Sequence, residues 1–198
     1  MTQRVLTWLT VVSLLIGAAP LRAGSLTDAE RQRLLAHLDM TEAWLADEIA
    51  GLTSAQLAFR MRPGTWSIKD VVEHLAIAEP QYWDQLRAAL AKPATGYAAE
   101  TTDAAILWYG IDRTERATTG DARVPDGRFP SAQAAFDAFK TLRGTMRAFV
   151  RDTTEDLRGR QFGGTMDAYQ WQLMISTHAQ RHILQIREIK ADPGYPGR

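Results

Sequence analysis

Residues 169–187 read Tyr-Gln-Trp-Gln-Leu-Met-Ile-Ser-Thr-His-Ala-Gln-Arg-His-Ile-Leu-Gln-Ile-Arg. Apolar residues recur here at helical spacing, and His178 and His182 stand four apart. On an α-helix that spacing puts both side chains on one face, one turn apart, with about 5–6 Å between Cβ atoms. Two imidazoles so placed can close on a single metal ion. Trp171, Met174, Ile175, Gln185 and Ile189 share their face. The helix is expected from about 167 to 190, where Asp192-Pro193-Gly194 stops it.

Two other histidines exist, His37 and His74. Ser67 is the expected cap of a second helix, with Asp70 in its favoured acidic first turn. Val71, His74, Leu75, Ala78 and Tyr82 then share one face. Pro80 falls inside this helix and should kink it rather than end it, because Tyr82, Trp83, Leu86 and Leu90 continue the period. Upstream, Thr27-Asp28-Ala29-Glu30 is a capping box that opens a helix through Leu34, Leu38, Leu45 and Ile49. His37 lies in it without a partner at helical spacing and is read as a surface or core-edge residue. Residues 53–65 break the pattern, with Pro63-Gly64 marking a turn.

Downstream, a short helix is expected over 102–118, weakened by Gly110. Residues 119–130 hold two glycines and two prolines and form a loop. Ser131 caps a further helix through Phe136, Phe139, Met146 and Val150 to about Asp152, and Gly159, Gly163 and Gly164 make the next loop. No stretch alternates with period two, and no Gly-rich phosphate loop precedes a helix. The expected fold is all-α, a four-helix bundle with one additional short helix.

The 198 residues suit one domain, and 23 basic against 23 acidic residues leave no basic stripe for a nucleic-acid partner. The chain has no cysteine, which removes disulfides, thiolate nucleophiles and Cys-based zinc sites. Any metal must be held by histidine and carboxylate. The N-terminus has the layout of a secretory signal peptide: Arg4, an apolar run over 5–16, a break at Gly17-Ala18-Ala19-Pro20, and Ala23 before a cut. The run is shorter than the roughly 20 residues of a membrane span. An uncleaved anchor is the competing reading. The expectation is a signal peptide over 1–23 and one domain over 24–198, periplasmic or secreted, with no stable membrane anchor after cleavage. Removing Arg4 and Arg22 from the 23 basic residues leaves 21 against 23 acidic ones.

His74, His178 and His182 all fall on faces that should point into the bundle. A buried neutral imidazole must satisfy a donor and an acceptor, and an apolar core offers few partners. A divalent metal held by three histidines, with an open position, is one common explanation. Zinc suits neutral imidazoles best, and nickel or ferrous iron also fit. The other explanation is separate core histidines bonded to backbone carbonyls or to each other, and the residues alone leave both open. Among neighbours, Gln185 could orient a ligand, Asp70 could accept the second N–H of His74, and Tyr82 could line a pocket mouth. Glu73 and Glu79 point away from the His74 direction and are expected in solvent. Trp66 and Trp171 are expected in the core.

After Pro63-Gly64, the run Trp66-Ser67-Ile68-Lys69-Asp70-Val71-Val72-Glu73-His74-Leu75-Ala76 resembles the start of the second helix in the DinB/YfiT-like superfamily. His178-x-x-x-His182-x-x-Gln185 is similar to that family's closing motif. The resemblance covers about 27–190. It implies an up-down-down-up four-helix bundle, often a homodimer, with a divalent metal on His74, His178 and His182. It also implies metal-dependent chemistry: thiol S-transfer, thiol-dependent isomerisation or hydrolysis. Arg181 stands before His182 where family members often carry a second histidine. Thiol cosubstrates are chiefly cytoplasmic, and expected export therefore argues against the transferase reading. The function expected is that of an exported metal-dependent hydrolase or group transferase on a small molecule. The alternative is a non-catalytic metal- or small-ligand-binding bundle.

Overall fold

A computed structural model describes residues 24–115 and 120–197. The signal-peptide reading falls outside the described residues. Four long helices form the bundle: α1 (Asp28–Ile49), α3 (Ile68–Leu90), α5 (Ala132–Asp152) and α6 (Ala168–Ala191). Two short helices, α2 (Ser54–Ala58) and α4 (Asp103–Tyr109), a 3-10 turn over Asp121–Arg123, and a hairpin of β1 (Gln161–Phe162) and β2 (Met166–Asp167) fill the connections. Among the described residues no helix is long and apolar enough to cross a membrane.

The helix starts follow the local chemistry. Thr27, Ser67 and Asp167 each accept from the backbone N–H three residues on, and Glu30, Asp70 and Gln170 return the bond. Ser131 caps α5. α3 runs through Pro80, whose ring sits on the exposed side, so the ring and its missing N–H face solvent rather than the core.

Contacts fix the directions. Arg33 reaches Tyr169 while Arg187 and Lys190 reach Glu48, so α1 and α6 are parallel. Glu79 meets Arg143 and Trp83 meets Phe149, so α3 and α5 are parallel. Trp66 lies over His182 and Tyr82 over Trp171, so α3 and α6 are antiparallel. Arg147 pairs with Glu42 and Arg31 with the Val150 carbonyl, so α1 and α5 are antiparallel. The order is up-down-down-up, with α6 seated between α1 and α3.

Parallel α3 and α5 demand a connection that returns along the bundle. α3 has 23 residues, so the return covers about 35 Å. Residues 91–131 make it, laying α4 against α6 and the 3-10 turn against α3.

The core has two apolar clusters, one around Leu45, Leu75, Phe139 and Ile186, the other around Leu38, Trp83, Met146 and Leu173. Between them sits a buried polar layer. Arg143 donates through Nε to Glu79 Oε2 at 2.7 Å and through Nη1 to Thr41 Oγ1 at 3.2 Å, with both ion-pair side chains fully buried.

Three differences from the sequence reading stand out. The segment 53–65, expected to be irregular, contains α2, opened by a capping box of Thr53 and Gln56. The helix expected over 102–118 ends at Tyr109, where Gly110 packs against Thr177 and leaves no room for a side chain. The Gly163-Gly164 loop is the turn of a hairpin, both glycines having positive φ.

Candidate metal centre

His74 on α3 and His178 and His182 on α6 come together across the antiparallel seam. The Nε2 atoms of His74 and His178 are 3.3 Å apart, and those of His182 and His178 are 3.2 Å apart. Nitrogens bound at 2.0–2.1 Å to one tetrahedral ion would be roughly 3.3 Å apart.

The outer ring nitrogens explain the inner ones. His74 donates from Nδ1–H to the Arg123 carbonyl at 2.8 Å, and His182 from Nδ1–H to Gln185 Oε1 at 2.8 Å. A neutral ring that donates from Nδ1 carries its lone pair on Nε2. Two lone pairs therefore aim at His178 Nε2, which can donate to only one of them. A cation at the centre satisfies all three, and the donor set fits a divalent metal.

Protonation agrees with this. Burial lowers the His74 pKa, partly offset by the Arg123 carbonyl, and the Arg123 charge lowers it further. His178 is pushed well below its ordinary value by burial, then by the two neighbouring imidazoles. Burial, then His74, bring His182 down to about 3 against its bond to Gln185. The rings are neutral at physiological pH, the form in which an imidazole can ligate a metal.

A cavity of about 440 Å³ opens onto the three rings. Trp66 forms one wall, its ring centroid 4.7 Å from that of His74, and Tyr82 stands edge-on to His178 at 5.2 Å. The crossover supplies Tyr109, Arg113, Arg123 and Val124. Arg113 forks onto Glu188 at 2.6 and 2.8 Å, so the carboxylate of the cavity is already engaged.

The structure places Gln185 and Tyr82 where the sequence put them. Asp70 does not accept from His74. It closes the Ser67 cap and pairs with Arg60 at 2.7 Å, because an acidic residue in the first turn is drawn to the free backbone N–H groups there. Glu73 and Glu79 are buried rather than solvated, since α3 is covered by α5, α6 and the crossover. Glu73 Oε1 accepts the backbone N–H groups of Asp126, Gly127 and Arg128 at 2.8–3.3 Å. That anchors the loop whose Arg123 carbonyl orients His74. Trp66 lines the site instead of the deep core, and Trp171 is half-buried, stacked on Phe162 at 4.2 Å. His37 lies apart from the cluster. Arg113, Arg123 and Tyr109 escaped the sequence reading because Tyr109 and Arg113 fall in or just after a short helix and Arg123 in a loop, and only the topology of the crossover carries them to the site.

The family model of the DinB superfamily matches residues 26–186, and the chain belongs to that superfamily. The structure is similar to that of YfiT from Bacillus subtilis, described as a probable metal-dependent hydrolase with an unusual four-helix bundle topology. The two share 19% identity and a TM-score of 0.58, over 86% of this chain and 91% of that one. No curated protein matches the chain.

Proposed function

We propose that this protein binds one divalent metal through His74, His178 and His182 and hydrolyses a small molecule in the adjoining cavity. The observation that carries the reading is the convergence of three Nε2 atoms, two of them held as lone-pair donors by bonds at Nδ1. Membership of the superfamily and the likeness to YfiT support it. A metal there would act as a Lewis acid, polarising a carbonyl or phosphoryl oxygen and making water more acidic.

The chain's own groups do the rest. The Arg123 carbonyl and Gln185 hold the rings in one tautomer and orientation. Trp66 and Tyr82 shield the site from bulk water. Burial raises the Tyr82 pKa, so its hydroxyl stays protonated and can donate a hydrogen bond to a bound substrate. Because the cavity carboxylate is engaged by Arg113, metal or ligand binding without turnover remains the second reading. Export belongs to the same proposal, and sequencing the N-terminus of the mature protein tests it.

Elemental mass spectrometry of protein purified without a His-tag is the first test. Close to one equivalent of metal is expected, lost in His74→Ala and His178→Ala and kept in His37→Ala. Full retention in His74→Ala would refute the cross-helix site. Ester, amide and phosphoester hydrolysis with and without chelator then separates enzyme from binding protein.

A further inference from the structure

The cavity lining around the histidines is cationic beyond what its own acids balance. Of its three arginines, Arg113 is matched by Glu188. Arg181 is buried and donates to the carbonyls of Tyr109 and Glu115, with no carboxylate within ion-pair distance among the described residues. Asp112, the acid beside it, lines the neighbouring recess and accepts from Thr114. Arg123 is the clearest case. Its Nε is buried without a hydrogen-bond partner among the described residues, and its guanidinium lies 5.0 Å from the Tyr82 ring centroid. Its neighbours Asp126 and Glu73 are occupied by Arg128 and by backbone N–H groups.

A partly buried guanidinium with no counter-charge is costly unless something supplies the missing acceptor. Arg123 sits where a ligand could supply it, on the wall shared with His74, whose Nδ1 its own carbonyl holds. A carboxylate or phosphate matches its planar fork in two parallel hydrogen bonds. Trp66 and Met61 leave an apolar side to the same space, and its volume suits a small molecule.

We infer that the substrate is a small organic anion, a carboxylate or phosphate compound, whose anionic group is held by Arg123 with Arg181 adding positive field. The inference rests on the cavity being the reaction site proposed above. Arg123 is then a specificity-determining residue. Neutral esters or amides of the same shape lack its partner and leave the guanidinium desolvated and unpaired.

Calorimetric titration of benzoate, phenylphosphonate and neutral benzamide into the metal-free and zinc-loaded protein tests this. Benzoate or phenylphosphonate is expected to bind both forms about tenfold or more tighter than benzamide. Arg123→Gln should remove that preference while Arg123→Lys retains part of it. Arg128→Gln, an exposed control outside the cavity, should leave it intact. Among the described residues the Arg123 side chain makes no hydrogen bond, so Arg123→Gln should keep the fold, which circular dichroism checks. Equal binding of benzamide, or an anion preference that Arg123→Gln does not change, would overturn the inference. If zinc is not taken up, the metal reading fails alone, and the metal-free titration still decides this one.

Discussion

The amide oxygen of Gln185 accepts from Nδ1–H of His182 at 2.8 Å, one turn further along α6. Such outer partners fix tautomer and ring angle, and losing one typically weakens metal binding about 10–100-fold. Gln185→Leu is therefore expected to lower zinc affinity by that order without unfolding the protein, as read by competition with a chromogenic chelator. Unchanged affinity would mean that packing alone orients His182. At this scale the histidines and Gln185 were legible, because helical spacing makes neighbours of residues three and four apart. The partner of His74 was not. It is a backbone carbonyl, which every residue has, so no letter of the sequence marks Arg123 as its source.

Elements begin where side chains satisfy free backbone N–H groups, and α3 is the helix that presents His74. Ser67 is buried, accepts from Asp70 N–H and donates to Asp70 Oδ2. Ser67→Ala should cost about 1 kcal/mol, measured as a lower urea midpoint with an unchanged slope. The long helices were readable from such caps and from periodicity. α2 was hidden because five residues are too few to show a period, although Thr53 and Gln56 carried its capping signal. The burial of Glu73 and Glu79 was hidden for another reason. A helical wheel assumes one solvent-facing side along the whole helix. Over 71–79 the crossover loop covers Glu73 and α5 covers Glu79, and α3 regains an exposed side only from Pro80 onward.

Across the whole molecule, the Arg143–Glu79 pair joins α3 and α5 between the two apolar clusters. Arg143→Met would strand a buried carboxyl and should cost about 3–5 kcal/mol, whereas the double change with Glu79→Leu should restore most of it. Chemical denaturation of the three proteins checks both. The histidine cluster sets the pH response of the metal-free form. Unfolded imidazoles protonate near 6.5, while His182 in the folded protein resists until about 3. Between those values the unfolded chain binds a proton that the folded chain refuses. Stability should therefore be full above about 6.5 and fall as pH drops toward 3, by up to about 1.4 kcal/mol per pH unit for each such histidine. A flat denaturation profile from pH 7 to 5 would contradict that burial.

α6 comes last in order among the described helices, yet it fills the gap between α1 and α3 and brings two of the three imidazoles. His74 therefore waits for a partner 104 positions away. The three nitrogens can meet only once α6 has been made and has docked against α3, so the cluster belongs to the assembled bundle and to no earlier fragment that lacks α6. On the metal reading proposed above, the ion would be taken from the surroundings in which α6 docks, so place and moment would select it as much as ligand chemistry does.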